Sequence, residues 1–427
     1  MNTAPTSEQQ RIESLDVVRG FALLGILLLN ILGFALPSHL YLMPLDVAAS
    51  SIDFATWVFI ELTAEGAMRC LFSILFGAGV ALFLDPAGGR SGRLHYKRTF
   101  WLMIFGLFDA LVLLWMGDIL FVYALAGFIL YWVRNVRASR LLVSALLLLL
   151  LISLQHAVFK LGVVAGEAAE VQLAALPEDQ HTPELLGQAA FWREMQASNI
   201  PPPERVAEEL QARNDSYLSA FKWSASLYAE QLAFVIPVIL LWDALAMMLL
   251  GMALYKYGVL QGDRAASFYR RMMFAGFALG LTVNGYETYT TVASDFALAE
   301  TFPQMQWSYH IGRLAMAMGY LSLLVLLVKY DLLTALRRRL AAVGRMALTN
   351  YLSHSLVCLV LFTGAGFGLA GYFSRFEIYG FVLAIWLFQL WFSPWWLSRY
   401  RFGPVEWLWR VLTYGQTTPN RRAQDLA

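Results

Sequence analysis

The chain has 427 residues, of which 59% are hydrophobic, 15% aromatic and only 14% charged. Soluble domains carry about 25% charged residues, so this composition excludes a soluble enzyme, a disordered protein and a nucleic-acid-binding protein. The net charge of +1 indicates no partner by itself. Cys70 and Cys358 both lie in apolar stretches, so we expect neither a disulfide framework nor a metal site.

Apolar stretches recur along the chain at lengths that suit membrane crossing. A helix needs about 20 mostly apolar residues to span the hydrocarbon layer. The stretch 69–84 is shorter than this, and only a tight turn at Gly117 separates two others. We therefore predict an all-α, polytopic integral membrane protein with about ten transmembrane helices, at residues 18–36, 69–84, 98–116, 118–133, 141–160, 230–255, 272–293, 307–328, 346–368 and 378–398.

The distribution of Lys and Arg predicts the orientation. Cytoplasmic loops of membrane proteins carry an excess of these residues. With the N-terminus inside, 23 of the 31 basic residues, Arg11 and Arg90 among them, fall in inside segments and six fall outside. We expect both termini in the cytoplasm and a location in the bacterial inner membrane.

The chain is predicted to have four parts. Residues 1–160 form a first five-helix bundle, and 230–398 form a second. Between them, 161–229 is expected to be an extracytoplasmic loop with two or three short amphipathic helices, because apolar residues recur there at near-helical spacing. Residues 399–427 form a cytoplasmic tail.

Several ionisable side chains lie within the apolar stretches. Such groups are costly in a membrane and mark either a functional site or a helix pairing. Asp16 and Arg19 are spaced i, i+3 and are expected to pair on one face. The others are predicted to line a polar path through the bilayer or to fix helix packing; they are Arg69, Asp109, Asp118, Asp243, Glu287 and His354.

Five motifs in order resemble one family. They are LDVVRGFALLGI at 15–26 with Asn30, LFSILFG at 71–77, GDIL at 117–120 with YAL at 123–125, GRMALTNYL at 344–352 and FGPVEWLWR at 402–410. Together they resemble the YeiB-like family of bacterial multispanning membrane proteins (domain of unknown function 418). The opening motif is also similar to that of lysosomal heparan-α-glucosaminide N-acetyltransferase, in a superfamily of transmembrane acyltransferases.

That resemblance implies an activity. Such enzymes take an acyl group from acyl-CoA on the cytoplasmic side, acetyl-CoA being the expected donor, and deliver it to an acceptor on the other side. An Asn near the end of the first helix and a His in the following loop are implicated in transfer, and these map to Asn30 and His39. Members often have a His where this chain has Asp109, so a proton-transfer role there is altered.

The residues fit this activity at a coarse level. The phosphates of acyl-CoA require basic partners, and we assign Arg19, Arg338 and Arg345, with Asn350, to donor binding. An acceptor hydroxyl or amine needs a base, for which His310 or His39 is the candidate. Asn30 or Arg313 is the candidate for stabilising the oxyanion that develops at the carbonyl.

Three functions remain open from the sequence. The first is an acyltransferase that modifies an extracytoplasmic glycan, lipid or small molecule. The second is a proton-coupled small-molecule transporter, which Asp109, Asp243 and a helix-breaking Pro237 would suit. The third is a non-catalytic scaffold in which buried charges only fix helix pairing. Membrane lipid, the extracytoplasmic acceptor and a second copy of the chain are the expected partners.

Overall fold

A computed structural model describes residues 12–84, 91–417 and 419–422. Arg11 and Arg90 lie outside the described residues. Within those ranges the predicted all-α class is confirmed, since the β contact is one isolated bridge between Tyr400 and Arg421. The first nine helices are α1 (Glu13–Ala35), α2 (Ser51–Thr63), α3 (Ala67–Phe83), α4 (Gly92–Leu111), α5 (Leu120–Leu130), α6 (Ala138–Ala175), α7 (Pro183–Asn199), α8 (Pro203–Asp215) and α9 (Tyr217–Glu230).

A π-helical segment (Gln231–Leu240) joins α9 to the second half of the chain. Short 3₁₀ turns lie at Ser38–Tyr41, Leu45–Ala49, Glu178–Gln180 and Pro303–Met305. The remaining helices are α10 (Leu241–Lys256), α11 (Ala266–Ala293), α12 (Leu298–Thr301), α13 (Tyr309–Lys329), α14 (Thr334–Arg345), α15 (Ala347–Phe362), α16 (Arg375–Arg399) and α17 (Pro404–Tyr414).

The chain is a helical, multispanning membrane protein. In the described ranges six helical segments are long and apolar enough to cross a membrane. A seventh candidate is the pair α14 and α15, which is bent by 80° at its break. The six segments are Glu13–Ala35, Ser51–Phe83, Ala138–Ala175, Tyr217–Lys256, Tyr309–Lys329 and Arg375–Arg399.

Three predicted spans are helical but do not reach that standard. They correspond to α4, α5 and α11. Helix α5 has only 11 residues, and α4 opens with the basic residues Arg93, Lys97 and Arg98. The number ten and the orientation of the termini therefore stay predictions.

Helix α2 was missing from the predicted elements. It precedes α3 and is separated from it by a short turn at Gly66, whose φ of 64° suits glycine. The turn matters because it brings Glu61 and Glu65 into the same region as Arg69 at the start of α3.

Two helix crossings depend on glycine. A Cβ on Gly20 of α1 would lie 1.9 Å from the carbonyl oxygen of Leu340 in α14. A Cβ on Gly77 of α3 would lie 2.0 Å from the carbonyl oxygen of Met248 in α10. The backbones therefore touch at both crossings, as small residues allow between membrane helices, and the close contact predicted for residues 77–79 is confirmed at Gly77.

The region predicted as an outer loop is helical and tied to α1. Helix α6 continues past residue 160 to Ala175, and α9 leads directly into the π-helical segment. From α8, the buried guanidinium of Arg213 donates to the carbonyl oxygens of Gly33, Phe34 and Leu36 and pairs with Glu209. These bonds satisfy the last carbonyl groups of α1, which have no partners within the helix.

We predict opposite effects on stability for alanine substitutions at Gly77 and Gly79, which lie two residues apart on α3. Gly77→Ala forces α3 away from α10 and should cost about 1–3 kcal/mol of stability. Gly79→Ala meets nothing within 4 Å and should stabilise the helix by up to about 1 kcal/mol. Thermal unfolding of both variants in detergent measures this, and equal melting temperatures would contradict the tight crossing.

Candidate functional site

Four predicted residues meet in the centre of the bundle. Arg313 of α13 donates to both carboxylate oxygens of Asp243 in α10, with Nη1 to Oδ2 at 3.1 Å. Arg69 of α3 lies 3.9 Å from the same carboxylate. His310 completes the group, its Nδ1 3.8 Å from Asp243 Oδ1. We call these four residues the central ion cluster.

The local fold of α10 sets the position of Asp243. Pro237 interrupts the hydrogen bonds of an α-helix, and here it lies within the π-helical segment. Helix α10 begins at Leu241 immediately after that segment, so Asp243 lies in its first turn. π-Helical turns are rare and occur often at functional sites. Pro237 thus does not end the span, which continues from Tyr217 to Lys256.

The imidazole of His310 is oriented by Arg313. A guanidinium only donates hydrogen bonds, so its contact with Nδ1 makes that nitrogen an acceptor. The neutral ring then carries its proton on Nε2. The ring also stacks on His156 of α6, with centroids 5.0 Å apart and planes at 26°. Because Nδ1 is occupied, His310 is placed to position Arg313 rather than to take a proton as the predicted base.

One cavity of about 320 Å³ is lined by four arginines. Arg19 comes from α1, Arg98 from α4, Arg345 from the end of α14 and Arg410 from α17. We call it the arginine cavity. Asp16 and Glu406 are the carboxylates in its wall, so guanidinium groups outnumber carboxylates by two. The predicted pairing of Asp16 with Arg19 is confirmed at 2.9 Å.

The arginine cavity reaches deep into the bundle. Its lining on α3 extends from Phe83 to Phe72, which at 1.5 Å per residue is about 17 Å along the helix. That depth is roughly half of the ~30 Å hydrocarbon layer. Tyr123 lines the cavity as well.

Helix α17 covers the mouth of the arginine cavity. Glu406 accepts hydrogen bonds from the backbone N–H groups of Leu348 and Thr349 at the start of α15. Trp409 donates to the carbonyl oxygen of Arg98, and the Arg98 guanidinium lies 4.3 Å from its ring centre. This helix explains the motif at 402–410, which serves to close the cavity.

A second, smaller cavity of about 40 Å³ is lined by other helices, and its residue Glu65 lies in the turn just before α3. Glu61 and Glu65 come from the α2 end, and Glu287 from the end of α11. Tyr309 and Arg313, at the start of α13, also line it. We call it the glutamate cavity.

Two sets of polar contacts, one turn apart on α3, lie between the two cavities. From the arginine cavity, the Tyr123 hydroxyl lies 2.6 Å from the hydroxyl of Ser73. One helical turn along α3, Arg69 donates to the Tyr309 hydroxyl at 3.2 Å. Tyr309 in turn donates to Glu65 at 3.0 Å, in the glutamate cavity. Of the residues predicted to line a polar path, Arg69 belongs to this series of contacts, and the path itself stays a prediction.

Other predicted site residues lie away from both cavities. Asn30 is half-buried on α1. His39 lies in the turn after α1, where burial lowers the pKa of its imidazole against the opposing effects of Glu209 and Asp46. Arg338 is exposed on α14. The geometry therefore does not support Asn30 and His39 as groups at a shared reaction centre, or Arg338 as a donor ligand.

Helix α15 directs two further candidates toward α16. Asn350 donates to Ser393 at 3.1 Å, and His354 contacts the side-chain oxygen of Gln389 at 3.0 Å. Both side chains fix the packing of these helices, so Asn350 is misassigned to donor binding because it faces away from the cavity.

Asp109 and Asp118 form a separate buried pair. Asp118 accepts from the backbone N–H groups of Leu120 and Phe121 at the start of α5, which is a favourable place for an anion. Asp109 is fully buried beside it, near Ser355. The sequence identified both residues but not their proximity.

Several residues of the site escaped the sequence analysis. Tyr123 and Trp409 were noted only as members of the family motifs at 123–125 and 402–410, and Tyr309 was not singled out. Glu61 and Glu65 could have been identified as candidate site residues, because they are acidic residues that directly precede the apolar helix α3. Arg98 and Arg410 were counted only as basic residues of inside loops.

We predict that removing the charge of Asp243 destabilises the protein strongly. Asp243→Asn leaves Arg69 and Arg313 without their carboxylate, and breaking a buried ion pair costs about 3–5 kcal/mol. Adding Arg313→Gln removes one of the unpaired charges and should recover part of the loss. Thermal unfolding in detergent tests this, with the exposed Asp179→Asn as a control; a stable Asp243→Asn variant would contradict the pairing.

Comparison with known proteins gives the family. The family described as "Protein of unknown function (DUF418)" matches residues 254–416. The chain is 33% identical to the uncharacterized protein YeiB of Escherichia coli (strain K12), over 96% of this chain and 98% of that protein. It is 29% identical to the uncharacterized protein YxaH of Bacillus subtilis (strain 168), over 96% of both. No solved structure matches. The chain belongs to the YeiB-like DUF418 family.

Proposed function

We propose that the protein is a transmembrane acyltransferase that uses cytoplasmic acyl-CoA. One observation carries the proposal. A deep arginine-lined cavity includes the later turns of α3, a glutamate-lined cavity includes Glu65 just before that helix, and Ser73, Arg69 and Tyr309 place polar side chains between them. A donor and an acceptor that enter from opposite sides need such an arrangement.

The arginine cavity fits the donor. Arg19, Arg98, Arg345 and Arg410 offer the planar, fully charged groups that suit phosphate recognition. Its deeper walls are apolar and aromatic, with Phe72 and the other lining residues of α3, which suits an extended pantetheine arm. The thioester would then lie near Tyr123, about halfway across the bilayer.

The central ion cluster fits the role of stabilising the transfer step. Both Nη atoms of Arg313 are held by Asp243, while Nε has no hydrogen-bond partner in the described part of the chain. An oriented donor of this kind, in a site that excludes water, stabilises the oxyanion formed when a nucleophile attacks a thioester. His310 acts as a positioning residue through its contact with Arg313.

The acceptor would enter through the glutamate cavity. A carboxylate there, Glu65 or Glu287, takes the role of base that the sequence assigned to His310 or His39. In this proposal the arginine cavity faces the cytoplasm, consistent with both termini inside, and the glutamate cavity faces the periplasmic side of a bacterial inner membrane.

We predict that acetyl-CoA stabilises the purified protein against heat. Binding at 100 times Kd adds about 2.7 kcal/mol to the folded state. The double variant Arg19→Gln/Arg345→Gln should weaken this binding at least about tenfold, which corresponds to a loss of about 1.4 kcal/mol of binding free energy. Arg338→Gln is the matched control, because Arg338 is exposed outside the cavity.

Two results would overturn the donor assignment. One is the absence of a thermal shift with any acyl-CoA. The other is an equal shift for the double variant and the wild type, provided that the unliganded variants melt at the same temperature.

A proton-coupled transporter is the second candidate. The 80° bend between α14 and α15 is a broken membrane helix of the type that lines transporter sites, and Pro237 lies in a π-helical segment of a continuous span. The Asp109–Asp118 pair would carry the proton.

Transport and acyl transfer predict different results in proteoliposomes. Solute uptake driven by a pH gradient without any acyl-CoA, and lost in Asp109→Asn, would favour the transporter. Acylation of an acceptor without net uptake would favour the acyltransferase. The Glu170→Gln variant, altered on the exposed part of α6, should behave as wild type in both assays.

A further inference from the structure

The glutamate cavity contains three carboxyl groups that lack a cationic partner in the described part of the chain. Its three glutamates accept hydrogen bonds from neutral donors: Glu61 from Trp57 at 3.0 Å, Glu65 from Tyr309 at 3.0 Å and Glu287 from Ser308. Within the described ranges, no cation lies at ion-pair distance from any of the three.

The two nearby arginines do not supply that partner. Arg313 is held by Asp243, and Arg69 lies beside the same carboxylate. Two guanidinium groups therefore face four carboxyl groups in this region, and both contact the same one of the four. Since a nearby positive charge favours the ionised form of a carboxyl group, a cation from outside would bind favourably beside the three glutamates.

The walls suit an organic cation. Trp57 and Tyr41 line the cavity, and aromatic faces attract cations within about 6 Å. Thr301 also lines it; its hydroxyl is buried, with the residue only 6% exposed, and has no hydrogen-bond partner in the described part of the chain. An unpartnered buried hydroxyl is unusual, and it offers a hydrogen bond to a ligand.

The size and spacing favour an ammonium group over a metal ion. Among the described residues, no three carboxylate, imidazole or thiol groups converge as a metal ion requires. The cavity volume of about 40 Å³ exceeds the roughly 10–15 Å³ that a single water molecule needs and is small for a whole organic ligand. It therefore admits a small head group, while the rest of the ligand remains outside.

We propose that the glutamate cavity binds the primary ammonium group of an amine, either a free small molecule or an aminated lipid headgroup. Glu61, Glu65 and Glu287 supply the charge, Trp57 the aromatic face and Thr301 a hydrogen bond. The proposal of this amine site concerns binding alone and does not depend on a chemical reaction.

If the chain transfers acyl groups, the bound amine is the acceptor. This assignment rests on the proposed function. The ammonium gives one proton to a glutamate carboxylate, and the amine nitrogen forms a C–N bond to the thioester carbonyl. The C–S bond then breaks, and the thiolate takes the second proton lost by nitrogen. The products are an amide and free CoA, and the proton on the glutamate leaves to solvent.

The test is direct binding to the full chain in detergent, without acyl-CoA. Ethanolamine and glucosamine are the probes, with N-acetylglucosamine, which lacks the ammonium, as the matched neutral compound. We expect saturable thermal stabilisation by both amines and none by the neutral compound. Glu287→Gln keeps an acceptor for Ser308 and should weaken amine binding at least tenfold, whereas Glu170→Gln, at an exposed ion pair, should leave it unchanged.

Nanodiscs distinguish the two sources of amine. If the protein binds ethanolamine more weakly in phosphatidylethanolamine discs than in phosphatidylcholine discs, the lipid competes and the ligand is a lipid headgroup. If its affinity for ethanolamine is equal in the two kinds of disc, the ligand is a free amine. Failure of both amines to bind, equal binding of N-acetylglucosamine, or an unchanged affinity in a folded Glu287→Gln variant would overturn the amine site.

The outcome also separates this proposal from the proposed function. Amine binding without acyl transfer would keep the site and reject the transferase. Acyl transfer to a hydroxyl acceptor, with no amine bound, would reject the amine site alone.

Discussion

The ion cluster of Asp243 with Arg69 and Arg313 is the interaction on which the rest of the structure depends. Three helices, α3, α10 and α13, each contribute one charge to it. Buried charges are tolerated only when they are paired, so these helices can pack in only one register. The glycine contact of Gly77 with Met248 allows the backbones of α3 and α10 to come close enough for that pairing.

The same constraint separates the two cavities. The cluster combines two guanidinium groups with one carboxylate. Arginines are concentrated in the cavity where α1, α4, α14 and α17 meet, and glutamates in the cavity where α2, α11 and α13 meet. An anionic donor and a cationic acceptor would each be attracted to one end only, since opposite charges attract most strongly where water is scarce.

The local sequence pattern predicted some of the contacts between charged side chains but not others. The pairing of Asp16 with Arg19 followed from their spacing, because residues three apart share a helix face. The grouping of Arg69, Asp243 and Arg313 did not follow, since these residues are up to 244 positions apart. Asn350 shows the opposite error: its inner position suggested donor binding, yet the rotation of α15 turns it toward Ser393.

The sequence by itself determined the class of protein, because hydrophobicity and the spacing of apolar residues depend only on local composition. It also determined the family, through motifs whose residues form the helix crossing at Gly20 and the cap at Glu406. The tertiary structure decided which charges meet, which cavity each arginine or glutamate lines, and that the helical span continues through Pro237. Those outcomes depend on helix rotation and register, which are set by packing among residues far apart in the chain. The low charge content excluded a soluble protein, but only the tertiary structure shows that several of the few charged residues lie in one cluster and two cavities.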